Sequence, residues 1–227
     1  MNRVLLSALC CIATFNLYAQ RTTNERPYGL RAEMQVQKQD AIVLPAPDIE
    51  RLKQEDAINN ERNKPIAFPI RVNYTLENSG VLQELDDGSK IWRLKVNLPG
   101  ALATITNYDK FWLPEGGKFF VYSEETEQSM GAFISKSVGG SKEEPVDFTT
   151  ALIYGENVVY EYYQPAWVKE SPIIVISCIH YGYQYLGNPY KNTIRGFGDA
   201  DTCHININCP EGNNWQTEKR AVARVRV

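Results

Sequence analysis

The clearest alternation of apolar and polar side chains falls within residues 90–98, with Trp92, Leu94, Val96 and Leu98 on one side and Arg93, Lys95 and Asn97 on the other. Successive side chains of a strand point to opposite faces, so this pattern is that of a half-buried antiparallel strand whose pairing cannot slip by one residue without exposing its whole apolar set. Further strands are expected over residues 70–76, 101–108, 118–123, 131–135, 148–154, 158–163 and 173–181. Turn chemistry separates them at Asp87-Gly88, Pro114-Glu115-Gly116-Gly117, Gly139-Gly140-Ser141 and Gly155-Glu156-Asn157. The spacing predicts an all-β body over residues 65–186, an antiparallel β-sandwich or jelly roll.

The segments around that body differ in kind. Arg3 is followed by no charge until Arg21, and residues 4–17 are mostly apolar. This is the pattern of a secretory signal peptide over residues 1–19, with cleavage between Ala19 and Gln20. A membrane anchor is disfavoured because Ser7, Thr14 and Asn16 interrupt a stretch shorter than the roughly 20 apolar residues that a span needs. Residues 20–64 are polar, and a short helix is expected from Asp48 as N-cap, with Ile49, Leu52 and Ile58 as a thin apolar stripe. Residues 187–202 are Gly-rich and lack an apolar period, as an exposed, cleavable linker does.

Charge excludes one large class of partner. The net charge of -3, with no basic run, lacks the footprint that phosphate backbones require. Hydrolase chemistry has few candidates, since the chain holds two histidines, His180 and His204, and neither a Gly-x-Ser-x-Gly elbow nor a Ser-x-x-Lys motif. Cys178 and His180 sit two apart on an expected strand and so share a face, but the apolar surroundings favour Cys178 as a core residue. Cys203, His204 and Cys209 have zinc-ligating side chains at the wrong spacing, and an exported chain favours disulfides. With the leader removed, Cys178, Cys203 and Cys209 leave an odd count, so one thiol stays free or finds a partner elsewhere. Glu124, Glu125 and Glu127 are expected on a solvated loop.

A family resemblance enters at Asp201-Thr-Cys-His-Ile-Asn-Ile-Asn-Cys-Pro-Glu-Gly-Asn-Asn-Trp-Gln and Glu218-Lys-Arg-Ala-Val-Ala-Arg. These residues resemble the start of the mature enzyme in the lysyl endopeptidase family, trypsin-like serine peptidases that cut after lysine. Upstream, Leu44-Pro-Ala-Pro-Asp, Trp92-Arg-Leu-Lys, Leu98-Pro-Gly-Ala, Phe111-Trp-Leu-Pro and Tyr160-Glu-Tyr-Tyr-Gln-Pro resemble the family's propeptide domain. The resemblance implies a pro-region that assists folding or holds the peptidase inactive, followed over residues 203–227 by the first, incomplete strand of a trypsin-like barrel. It implies processing in the linker, where Lys191 and Arg195 are the basic residues and Gly198 lies near the mature start. It also implies that Cys203 and Cys209 bond to cysteines beyond Val227, where the catalytic His, Asp and Ser are expected too. The implied partners are the cognate catalytic domain in cis and, for the longer parent, protein substrates. No cofactor or metal is implied.

Two other readings compete. The body is a secreted module binding glycan or protein through Trp92, Trp112, Tyr122, Tyr154, Tyr160, Tyr162 and Tyr163, or the chain is a truncated fragment without function.

Overall fold

The computed structural model describes residues 25–32, 34, 36–58, 65–184 and 210–215. Contacts divide the chain into two units, Met1–Leu186 and Gly187–Val227. In the second, Pro210–Trp215 forms a short 3-10 helix.

The first unit opens with a single 3-10 turn, Tyr28–Leu30, followed by β1 (Ile42–Val43), α1 (Ile49–Ile58), β2 (Ala67–Tyr74), β3 (Val81–Glu84) and β4 (Lys90–Asn97). Then come β5 (Ala103–Trp112), β6 (Lys118–Tyr122), β7 (Ser129–Phe133), α2 (Ser135–Val138), β8 (Val146–Thr149), β9 (Ile153–Tyr154), β10 (Asn157–Gln164) and β11 (Ile173–Gly182). The class is all-β, in two sheets. One runs β1-β4-β10-β6-β7, with β3 also on β4, and the other runs β2-β11-β5-β8, with β9 also on β5. Every pairing is antiparallel except the short parallel contact of β1 with β4.

One apolar cluster receives side chains from both sheets. Trp92, Leu94, Val96 and Leu98 enter it as their alternation requires, joined by Tyr160 and Tyr162 of β10, Phe119 and Val121 of β6, and Tyr108 and Phe111 of β5. Rings in it meet edge to face, as Tyr108 and Phe119 do at 5.8 Å and 90°, the geometry their quadrupoles favour. The Tyr160 hydroxyl meets the Thr106 hydroxyl at 2.7 Å, so a polar tip carried inward is satisfied across the two sheets.

Expected strand limits hold to within a few residues, with instructive exceptions. Residues 148–154 form two strands, because β8 and β9 pair with different parts of β5 and the Thr150 N–H turns aside to the Thr106 carbonyl at 3.0 Å. β3 is an additional strand, joined to β4 through the Asp87-Gly88 turn, where the Gly88 N–H meets the Leu85 carbonyl at 2.8 Å. β7 lies two residues earlier than expected, since Ile134 already belongs to the entry of α2, its N–H bonded to the Ser137 hydroxyl at 2.9 Å.

Asp48 caps α1, its Oδ1 accepting from the Arg51 N–H at 3.1 Å. Ile49 and Leu52 pack against the main core, but Ile58 is 80% exposed. The buried face continues through Asp56, four residues beyond Leu52, whose carboxylate accepts from the Tyr183 hydroxyl (2.8 Å) and from Nε2 of Gln184 (2.7 Å). Helical geometry puts position 56 in line with 49 and 52 and position 58 off that line.

In β11 the pairings with both β2 and β5 shift between Ile176 and Cys178. This bulge reverses the alternation: Ile174 and Ile176 enter the core before it, Ile179 and Tyr181 after it. Cys178 is buried, as expected of it, yet it stands outside the core cluster, beside exposed Arg71 of β2.

Candidate functional site

Among the described residues, a polar arrangement of several partners lies on the outer face of the first sheet. There β10 reads Val158-Val159-Tyr160-Glu161-Tyr162-Tyr163, and alternation that sends Tyr160 and Tyr162 inward turns Glu161 outward. It is paired across the ladders with Arg93 of β4 and Phe120 of β6. An outward glutamate is ordinarily wet, but Glu161 is 0% exposed.

What buries it is the chain's own N-terminal arm. The carboxylate accepts from the backbone N–H of Tyr28 at 2.6 Å through Oε1, and from that of Gly29 at 2.9 Å and the Tyr122 hydroxyl at 3.0 Å through Oε2. Arg93 adds its charge from the neighbouring strand, and its guanidinium donates to the Gln37 carbonyl farther along the arm. An isolated carboxylate in such a place would cost several kcal/mol, so the donors are a condition of its burial. Burial pushes the Glu161 carboxyl above the usual range. The Gly29 N–H, the Tyr122 hydroxyl, the Tyr28 N–H and Arg93 offset this only in part. The Tyr122 hydroxyl is held far above its ordinary value by burial and by Glu161.

The arm is shaped to its seat. The Tyr28 ring stacks on Tyr163 with centroids 3.7 Å apart and planes 8° from parallel, and Arg31 covers the ring at 3.7 Å. Gly29 lies so close that an added Cβ would stand 2.6 Å from the Glu161 carboxylate and 2.7 Å from the Tyr122 hydroxyl, so a side chain there would have to displace both hydrogen-bonded groups. Beneath, Phe120, Tyr122, Ala132 and Val159 form a second apolar cluster that Tyr28 and Leu30 cover. Lys118 Nζ meets Glu25 Oε2 at 2.6 Å on the rim. A cleft of about 480 Å³ opens beside the arm, lined among others by Glu25, Arg26, Glu124, Glu127 and Met130.

None of these features is catalytic in kind. The arrangement holds a peptide segment by its backbone, an aromatic ring and one charge pair.

The sequence-based sites fall elsewhere. Ala19, Gln20, Lys191, Arg195, Gly198, Cys203 and Cys209 all lie outside the described residues. Cys178 and His180 are described, and their electrostatics oppose a thiolate–imidazolium pair. Burial pushes the thiol up, and burial together with Arg71 pushes the imidazole down. In the acidic cluster, Glu124 is engaged by Lys95 at 2.7 Å and Glu125 by Asn157. The aromatic row needed for a glycan platform is mostly inside: Trp92, Tyr122, Tyr160 and Tyr162 are buried, and Tyr163 is covered by Tyr28.

Sequence reasoning passed over Glu161, Arg93, Tyr28 and Gly29. A signal for Glu161 was present, a lone charge between aromatic residues at the centre of a strand. Its partners stand about 130 residues away, and no local pattern names them. Scanned against protein-family models, the sequence matches none.

Proposed function

We propose that residues 20–195 are the pro-region of a secreted, lysyl-endopeptidase-like serine peptidase, exported by the leader at residues 1–19 and acting on the catalytic segment that follows as a folding aid or inhibitor. The carrying observation is the division of the chain between Leu186 and Gly187, which sets a self-contained two-sheet body just ahead of Lys191, where a lysine-specific peptidase would cut. The likeness of the segment from Asp201 onward to a mature peptidase N-terminus supports the same reading. In it, none of the residues of this chain is assigned a part in peptide-bond hydrolysis, and the body contributes shape rather than chemistry.

Expressing the gene in a secreting host and sequencing the N-termini of the exported products tests this. Expected are a product beginning at Gln20 and one beginning between Asn192 and Cys203. If, beyond the leader-processed form that begins at Gln20, the mature peptidase begins upstream of Ile66, the proposal is overturned.

A further inference from the structure

The seat under the arm has the properties of a ligand site already occupied. Its floor and anchors come from β4, β6, β7 and β10: Arg93, Tyr122, Glu161, Tyr163 and the cluster of Phe120, Ala132 and Val159. The segment that fills it comes from more than a hundred residues earlier and is held by two backbone N–H groups, one stacked ring and one ion pair. Among the described residues between this anchor and the next, at Gln37, backbone hydrogen bonds run from Leu30 to Pro27, Arg31 to Tyr28, Met34 to Arg31 and Val36 to Met34, all within the arm. The arm thus has two polar anchors on the body, at Tyr28-Gly29 and at Gln37, with backbone bonds internal to the arm between them among the described residues.

We infer that the groove over Glu161 is a separable recognition site for an aryl–glycine segment, filled by the chain's own Tyr28-Gly29 and open to the same segment from a second copy once its own is withdrawn. Complementarity selects this occupant. The groove offers a carboxylate placed for two successive N–H groups, a tyrosine ring for stacking, Lys118 for an acidic residue three positions before the ring, and a second position where a Cβ would push against the Glu161 carboxylate and the Tyr122 hydroxyl. Exchange would lift Leu30 from the apolar cluster with Tyr28 and keep the arm's further attachment at Gln37, bonded to Gln83 and Arg93, as the point about which it swings. The inference concerns the body alone and does not rest on the pro-region reading.

The test uses two full-length variants that break opposite halves of the contact. Gly29→Ala spoils the segment and spares the groove, whereas Glu161→Ala spoils the groove and spares the segment. In each, trypsin cleavage after Arg31 is expected to rise at least about tenfold over the unaltered chain, because cleavage follows the population of released arm. Each variant alone should sediment as a monomer, and an equimolar mixture should give a 1:1 heterodimer in which the Glu161→Ala chain lends its arm to the Gly29→Ala chain. Two released arms with no heterodimer would overturn the proposal. So would a Gly29→Ala chain whose arm stays as protected as the unaltered one, or one that loses its fold together with Tyr28→Ala, since the arm would then be part of the body rather than its ligand.

Discussion

The two sheets each turn a polar strand residue away from the shared core, and they treat it in opposite ways. On the first sheet Glu161 is covered by a distant segment that brings donors to both carboxylate oxygens. On the second, the bulge before Cys178 aims Cys178 and His180 outward. Cys178 is buried with a thiol that titrates high, and among the described residues Nε2 of His180 has no hydrogen-bond partner. A chain that recruits a remote arm to satisfy one buried group uses that group to specify a contact. A chain that leaves another unsatisfied carries a small defect, and burial alone does not mark a site.

The hardest blow to this contrast is Glu161→Ala. It strands the Tyr28 and Gly29 N–H groups and the Tyr122 hydroxyl and leaves Arg93 without its counter-charge, a class of change that costs about 3–5 kcal/mol when the partners stay dry. Because the arm can lift and rewet two of those donors, a loss near the lower end is expected in urea unfolding followed by circular dichroism. A loss under about 1 kcal/mol would place Glu161 on the same footing as Cys178.

Tyr28→Ala comes next. It removes the stacked ring and the cover over Phe120 and Val159 but leaves the N–H donors, so about 1.5–3 kcal/mol of arm attachment should go. Cys178→Ala should cost about 1 kcal/mol or less, because the side chain is buried yet fills none of the core cluster. Alkylation of Cys178 in the folded chain should also be slow and should quicken with urea, as a thiol held protonated by burial requires. Rapid labelling in native buffer would instead make the second face an accessible one.

How much of this was legible beforehand follows from the range of the interactions. The inward set Trp92, Leu94, Val96 and Leu98, the Asp87-Gly88 turn and the Asp48 cap are local patterns, and the structure holds all three, though strand β3 before that turn was not expected. Arg93 was assigned to a wet face by the same alternation. The face was right, but an arm over fifty residues away covers it and leaves Arg93 buried. The bulge at Ser177 defeated periodicity in another way, since one extra residue moves Cys178 off the core face while its neighbours remain apolar. Ile58 joined the apolar stripe by composition, whereas helical phase gives that place to Asp56. The arm's seat was the least legible feature, because it depends on where the Tyr28-Gly29 pair lands on the folded sheet.

The smallest effect separates the faces by sign. The Glu161 carboxyl is raised when folded, so the folded state holds its proton more tightly. The stability linked to it is fully present below the ordinary value of 4.5 and is lost as pH climbs through the raised one. His180 is lowered, so its contribution is fully present above 6.5 and is lost as pH falls from there toward the depressed value. The groups facing Glu161 are the Gly29 and Tyr28 backbone, Tyr122 and Arg93, and Arg71 faces His180; neither arginine titrates in this range. Glu161→Gln should therefore flatten the decline in midpoint as pH rises above 4.5, while His180→Asn should flatten the decline as pH falls below 6.5. The shifts expected are a few tenths of a kcal/mol up to about 1 kcal/mol. If both variants flatten the same limb, the two faces are not electrostatically opposed, and the Glu161 carboxylate is tuned by its donors more strongly than by its burial.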